Sequence, residues 1–597
     1  MRKSSTLARI ALLAMLTGVP TGALTPASHA QQQSDTLAPE APSTTVKKQA
    51  VQATKQMVVA ANPLAAQAGL DALRAGGNAA DAVVAVQTVL GLVEPQSSGL
   101  GGGAFLVWYD AASGKVTTFD GRETAPAAAT SELFLGPDGK PLGFFNAVIG
   151  GRSVGVPGVP RLLETVHAKY GKRPWKDLLQ PAIDLADNGF AVSPRLNTMI
   201  SEDVGHLDTQ PVTRGYFFDA SGAPLAIGAT LRNPDYAVTL RALADGGADA
   251  FYEGPIAEAI VSVVVNHPSN PGQLTLADLA GYQVKERPAV CAPYRGLDVC
   301  GMGPPSSGAL AIGQILGMVE PFDIATLGPD DPQSWRIIGD ATRLAFADRE
   351  RYIADNDFVR MPKGLLDADY LKSRSALIRR PTALPEDGVM AGEPPWEKAG
   401  LDGVEPRIDG QSFDMPATSH FVIVDAGGNV ASMTTSVENA FGSRQMAGGF
   451  ILNNQLTDFS FAPEKDGAAV ANRVEPGKRP RSSMAPTIVL KEGKPVYVLG
   501  SPGGSSIIPY VATTLIALVD WKRDMQAAIA MPHMLNRFGP YELEAGTAAE
   551  DFADDLKALG YKIKVTDLNS GLQGIAIAPG VLTGGADPRR EGTALGD

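Results

Sequence analysis

Cysteine is nearly absent from this chain: Cys291 and Cys300 are the only two in 597 residues. That excludes a scaffold built on disulfides, and neither cysteine sits in a recognisable nucleophile setting. The two flank Ala-Pro-Tyr-Arg-Gly-Leu-Asp-Val, which reads as two short strands around a turn. A local disulfide and two separate buried thiols both fit. Positive charge is in deficit, with 51 Lys and Arg against 64 Asp and Glu and a formal net charge of -13. No basic cluster interrupts this, so nucleic acid is not an expected partner. Histidines beyond the N-terminus are His167, His206, His267, His420 and His533. No pair has metal-ligand spacing and there is no H-E-x-x-H, so no metal is expected. Beyond the N-terminal stretch no segment approaches the roughly 18 uninterrupted apolar residues of a membrane span. The glycines at 99 and 101–103 lack the G-K-[ST] ending of a phosphate loop. There is no G-x-S-x-G elbow between a strand and a helix, and no K-T-G triplet, so a standard serine hydrolase has no visible triad. No internal repeat is present.

What is present begins with an export signature. Arg2, Lys3 and Arg9 precede an apolar segment from Ile10 to Leu16, and Ser28-His29-Ala30 offers small residues at a cleavage site. Residues 1–30 are expected to be a signal peptide that sends the chain to the periplasm or the medium. Residues 31–54, rich in Gln, Ser, Pro and Lys, are expected to be a flexible linker. At 597 residues the chain is too long for one small core.

The remaining pattern is mixed. Asn62-Pro63 opens a helix that ends at Gly76-Gly77, and Asn78 caps an Ala- and Val-rich helix to about Leu92. Residues 104–109 and 115–119 read as a hairpin. Helical patterns dominate from about 160 to 375, for example Trp175 to Asp187 and Trp335 to Ala354. Strands return at 420–425, 430–436, 486–491 and 495–499, followed by a helix near 508–521. Strand material at both ends around a helical middle predicts an α+β sandwich with a helical addition.

The strand at 420–425 has an odd approach. Thr418-Ser419-His420 leads into Phe421-Val422-Ile423-Val424, behind loop sequence from Gly403 to Met415. An internal threonine hydroxyl is a poor nucleophile. A threonine at a chain start has its own α-amine as base, and that amine has a pKa near 7.7–8.0, against about 10.4 for lysine. Cutting the Ala417–Thr418 bond would expose it, and the Thr418 hydroxyl can attack the preceding carbonyl itself. The plain alternative is that Thr418 and Ser419 only begin a strand, where Thr is at home.

Other stretches bear on this choice. Val498 to Ser506 reads V-L-G-S-P-G-G-S-S, and Pro502-Gly503-Gly504 lets backbone N–H groups face a cavity, as an oxyanion hole needs. A strand-to-helix turn is the plain alternative. Asn453, Asn454, Gln455 and Asp458 form a dense amide and carboxyl group; Ser482 and Ser483 add hydroxyls, and Arg122 lies just past a hairpin strand. Together they suit a zwitterionic amino-acid head group, since arginine binds a carboxylate through two parallel hydrogen bonds.

At these residues the chain resembles the γ-glutamyltransferases, or glutathione hydrolases, of the N-terminal-nucleophile hydrolase superfamily. The resemblance runs from about Gln56 to near the C-terminus. It is carried by GGNAADA at 76–82, SSGLGGGAF at 97–105, GRETAP at 121–126, GVPGV at 155–159, PPSSG at 304–308, TSHFVIVD at 418–425, LNNQLTDFS at 452–460, SSMAPTIV at 482–489 and GSPGG at 500–504. It implies a four-layer αββα sandwich built from two chains, 55–417 and 418–597, made by self-cleavage and forming a heterodimer. It implies Thr418 as nucleophile, Ser436 as support for its amine, and Gly503 and Gly504 as the oxyanion hole. Arg122, Ser482 and Ser483 are implied to hold the substrate α-carboxylate, and Glu438, Gln455 and Asp458 its α-ammonium. The implied substrates are a glutathione-like γ-glutamyl donor and an amino-acid or peptide acceptor, and no cofactor is needed.

Two departures stand out. Position 438 is Glu where many members have Asn. The stretch 459–480 has no tyrosine and is short for the lid that covers the pocket in some members, so an open pocket is expected. Two alternatives remain. One is a glutaryl-cephalosporin-type acylase of the same superfamily, which need not read an α-ammonium. The other is an uncleaved binding protein for γ-glutamyl compounds.

Overall fold

The computed structural model describes residues 46–385, 389–397 and 417–597. The expected signal peptide, most of the expected linker and the loop sequence directly before Ala417 lie outside the described residues.

Two seven-stranded sheets, each wholly antiparallel, form the centre of the molecule. The first runs in the order Thr593–Gly596, Met57–Ala60, Ala417–Val424, Val430–Glu438, Gly103–Asp110, Lys115–Gly121, Lys285–Pro288. The second runs Val51–Ala53, Val581–Ala586, Gln573–Ala578, Lys494–Gly500, Thr487–Lys491, Leu297–Gly301, Val290–Tyr294. Alternating side chains point to opposite faces of a strand, so each strand serves two cores. Val422 and Val424 join Met57, Val59, Ile488, Val498 and Ile575 between the sheets. Phe421 and Ile423 point the other way, onto helices.

Helices cover both outer faces. Pro63–Arg74, Ala79–Val93 and Val159–Tyr170 pack on the first sheet, and Trp175–Asn188 packs on Ala79–Val93 from outside. Gly308–Val319 and Ile507–Val519 pack on the second, with Pro332–Tyr352 against Gly308–Val319. The result is the four-layer αββα sandwich. Helices from Pro194–Glu202 to Gly254–Val265 extend the first helical layer as the helical addition.

The local signals work as chemistry predicts. Asn62 accepts from the Leu64 N–H at 3.0 Å, with Pro63 in the first turn. Asn78 and Asp81 form a reciprocal capping box. Every residue of Ala79–Val93 is buried, which explains its mainly apolar composition: it lies between the sheet and the outer helices.

Two points needed the structure. The expected linker to residue 54 is corrected at its end: Val51–Ala53 is an edge strand paired with Val581–Ala586, and Ala53 is buried. Composition is a poor guide there, because an edge strand of three residues needs only one apolar face. Cys291 and Cys300 stand opposite each other on adjacent strands and form a disulfide.

Candidate active site

A bulge shapes the start of strand Ala417–Val424. Ala417 stands opposite Glu438 and Thr418 opposite Ser436, which leaves Val437 without a strand partner. Val437 is held elsewhere: its N–H donates to the Ser97 carbonyl, and its own carbonyl accepts from Asn454 N–H, both at 3.1 Å. Bulges re-aim side chains next to functional sites. Here the Thr418 hydroxyl donates to Ser436 Oγ at 3.2 Å, and Ser436 Oγ donates to the Ala417 carbonyl at 2.9 Å. The Glu438 N–H donates to Ser436 Oγ at 2.8 Å. Glu438 has φ 81°, a left-handed conformation unusual for a non-glycine residue and costing roughly 1–3 kcal/mol. Its carboxylate accepts from the Asn454 side-chain amide.

One small cavity gathers the expected residues. Arg122, Thr418, Ser436, Glu438, Gln455, Asp458, Ser482, Ser483 and Gly504 all line it. Gly503 does not line it but immediately precedes Gly504. Arg122 is fully buried and forms an ion pair with Asp458. Its Nε donates to the Pro480 carbonyl at 3.2 Å and its Nη2 to the Arg481 carbonyl at 3.1 Å, so its direction is fixed. Glu123 Oε2 lies 3.7 Å from Arg122 Nη1. Burial pushes the Glu123 carboxyl up to about 8, despite the opposing pull of Arg122. Ser483 Oγ accepts from Arg349 Nη2 at 2.7 Å, and Arg349 Nε donates to Ser307 Oγ at 2.9 Å. Ser307 Oγ in turn donates to the Ser482 carbonyl at 2.8 Å. The two serines are thus held from the helix Pro332–Tyr352.

Gly503 and Gly504 follow strand Lys494–Gly500 and precede helix Ile507–Val519. Their φ values are 135° and 55°. A Cβ on Gly503 would lie 2.8 Å from Tyr510 Cε2, so both backbone conformation and space select glycine. Gly503→Ala is expected to lower kcat about 100-fold while leaving the chain folded, by displacing N–H donors. Circular dichroism with steady-state kinetics checks this, and an unchanged kcat would remove the loop from the chemistry.

His420 is two residues from Thr418 and is uncharged at neutral pH. Burial pushes it down to about 3. Its Nδ1 lies 2.9 Å from Thr434 Oγ1, and its ring fills the space that a Cβ on Gly500 would occupy. Stretch 459–480 folds down rather than standing free. Phe459, Phe461 and Val474 pack with Phe134 and Phe144, leaving a small exposed hairpin of Glu464–Lys465 and Ala468–Ala469.

Several participants carried no local sequence signal. Arg349 sits in the last turn of helix Pro332–Tyr352. Glu94, after a buried helix, accepts from Ser419 Oγ at 3.0 Å. Arg590 Nη1 donates to the Thr418 carbonyl at 3.1 Å. The paired arginines at 589–590 were the one visible hint, a dense charge in a segment between strands.

The gamma-glutamyltranspeptidase family model matches residues 65–597. The glutathione hydrolase proenzyme of Bacillus subtilis (strain 168) is 36% identical over 554 residues, covering 90% of this chain and 91% of that one. The acylase ACY 1 proenzyme of Pseudomonas sp. (strain SE83) is 35% identical over 562 residues, covering 92% and 95%. Among solved structures, the cephalosporin acylase from Bacillus halodurans superposes with a TM-score of 0.78 at 27% identity, covering 92% of this chain and 97% of that one. The αββα sandwich is therefore that of the N-terminal-nucleophile hydrolases.

Proposed function

Since the chain belongs to the gamma-glutamyltranspeptidase family, we propose that it is an exported glutathione hydrolase and γ-glutamyltransferase that matures by cutting itself at Ala417–Thr418. One observation carries this reading. The Thr418 hydroxyl shares a single cavity with a buried arginine, carboxylates, an amide, two serines and a glycine turn.

In the proposed maturation, Thr418 Oγ1 attacks the Ala417 carbonyl carbon. The peptide bond becomes an ester, and water hydrolyses it. This leaves a large subunit that ends at Ala417 and keeps the edge strand Val51–Ala53, and a small subunit, 418–597, joined as a heterodimer. The new α-amine then serves as base. Thr418 Oγ1 attacks the γ-amide carbonyl of the donor, its proton passes to the α-amine, and that proton leaves with the departing amine. The N–H groups of Gly503 and Gly504 stabilise the oxyanion. Water, or the amine of an amino acid or peptide, releases the γ-glutamyl group from the ester. Ser436 supports the nucleophile. Arg122, Ser482 and Ser483 take the donor α-carboxylate, and Glu438, Gln455 and Asp458 its α-ammonium. No step calls for a cofactor. The signature at residues 1–30 supports delivery to the periplasm.

A second reading, a glutaryl-type acylase, is favoured by the acylase names among similar proteins. Two carboxylates at the ammonium end, Glu438 and Asp458, weigh against it, because a glutaryl group brings no positive charge to meet them. Hydrolysis of γ-glutamyl and glutaryl anilides separates the two. We expect at least tenfold higher kcat/KM for γ-glutamyl, from roughly 1.4 kcal/mol or more of ammonium pairing. A preference for glutaryl would transfer the assignment to the acylase reading.

A further inference from the structure

The carbonyl of Thr418 is gripped from beyond the cavity by a residue near the C-terminus. Arg590, buried, donates from Nη1 to that carbonyl at 3.1 Å. The turn that carries it is fixed on several sides. Asp587 accepts from the Ser570 hydroxyl, and from the N–H groups of Leu572 and Arg589 at 2.9 Å each. Lys48 Nζ donates to the Arg590 carbonyl at 2.7 Å. Gly571 lies against the side chain, where a Cβ would come within 2.8 Å of Arg590 Cδ. The guanidinium therefore has a set position.

A residue's α-nitrogen lies roughly 3 Å from its own carbonyl oxygen by bond geometry. With Arg590 Nη1 3.1 Å from that oxygen, it lies no more than about 6 Å from Thr418 N, and a like charge that near disfavours a protonated amine. We propose that Arg590 is a positioning residue that also lowers the basicity of the Thr418 α-amine released by self-cleavage, keeping it able to accept a proton at neutral and mildly acidic pH. This rests on Thr418 being the N-terminal nucleophile.

The surrounding charges set how much of this field is felt. Glu94, at the end of helix Ala79–Val93, accepts from Ser419, the neighbour of Thr418. Burial pushes its carboxyl up to about 7, against the pull of Arg195 and Arg590. Arg195 lies at the start of helix Pro194–Glu202, and its N–H donates to Glu591 in the Arg590 turn at 2.8 Å. His420 on the nucleophile strand is neutral. From the cavity side Glu438 and Asp458 oppose Arg590, while Arg122 adds to it. Glu94 is the variable member. Ionised, it offsets Arg590. Protonated below about pH 7, it no longer offsets Arg590, and the amine stays free of its proton further into acid.

The test is the acid limb of kcat/KM against pH on a γ-glutamyl anilide, for enzyme shown by intact mass to be two chains. Arg590→Gln should move the limb up by about one pH unit, which is a roughly tenfold loss well below the limb. Arg590→Lys, which keeps the charge, should leave it within a few tenths of a unit of wild type. Glu94→Gln should move it down. A rate loss in Arg590→Gln with the limb unmoved makes Arg590 a packing residue and overturns the proposal. Should the variants fail to mature, the wild-type enzyme decides: the pH dependence of Thr418 carbamoylation by cyanate, read by mass, reports the amine directly. A midpoint clearly below the ordinary 7.7–8.0 supports the proposal, and one at or above it overturns it. A wild-type chain that never divides removes the nucleophile reading itself, a result distinct from an unmoved limb.

Discussion

Thr418→Ala is expected to run as one uncut chain under denaturing conditions, where the wild type separates into two with the smaller beginning at Thr418. The methyl side chain removes the only atom that can attack the Ala417 carbonyl from within the residue, and with it the nucleophile for the donor. Hydrolysis of γ-glutamyl anilides should fall by about 10⁴-fold or more, since removing a covalent nucleophile costs that order in hydrolases. Thr418→Ser keeps the hydroxyl and should still divide, with reduced rate. The fold should survive Thr418→Ala, because the lost contact is one hydroxyl bond to Ser436 at 3.2 Å. Intact mass and N-terminal sequencing read the outcome. An active wild-type enzyme that stays whole would take Thr418 out of the chemistry and the two-subunit scheme with it.

Breaking the Arg122–Asp458 pair should have the next largest effect. Both side chains are buried and in contact. Removing one partner strands the other charge, a loss of about 3–5 kcal/mol for buried pairs. Asp458→Ala should therefore lower kcat/KM for γ-glutamyl anilide by 100-fold or more, chiefly through KM, and should lower the thermal midpoint. Donor analogues apportion the loss. Glutaryl anilide lacks the α-ammonium, so Asp458→Ala should cost it much less than it costs the γ-glutamyl donor. The 4-aminobutyryl anilide lacks the α-carboxylate, so Arg122→Ala should cost it least. An equal loss on all three donors would mean that the pair only holds the segments 120–123 and 455–458 together. Asp458→Asn, which keeps a hydrogen-bond acceptor for Arg122, should fall between wild type and Asp458→Ala.

Much of this was legible from residues alone, and the legible parts share a cause. Asn62 and Asn78 announced their helices because a cap acts over two or three residues. The hairpin read at 104–119 and the strands read at 420–425 and 430–436 showed themselves through apolar and β-branched runs and turn residues, and the structure has them at 103–121, 417–424 and 430–438. Of the residues singled out for a head group, Arg122, Gln455, Asp458, Ser482 and Ser483 line one cavity, while Asn453 and Asn454 do not. Their chemical types made the grouping, although the sequence holds no record of their distances.

What remained for the tertiary structure was every relation set by long-range register. Val51–Ala53 became a strand because an unpaired edge was waiting at Val581–Ala586. The two cysteines became a disulfide because the turn between them brings them opposite each other. Glu438 adopts a left-handed backbone because the bulge at Val437 demands it there. Glu94, Arg349 and Arg590 reach the site from three distant parts of the chain. Sequence by itself determined which segments form helices and strands and which residue types can do the chemistry, because caps, alternation and functional groups are properties of near neighbours. The tertiary structure decided which buried charges face Thr418, because burial and pairing exist only after distant strands have found their register.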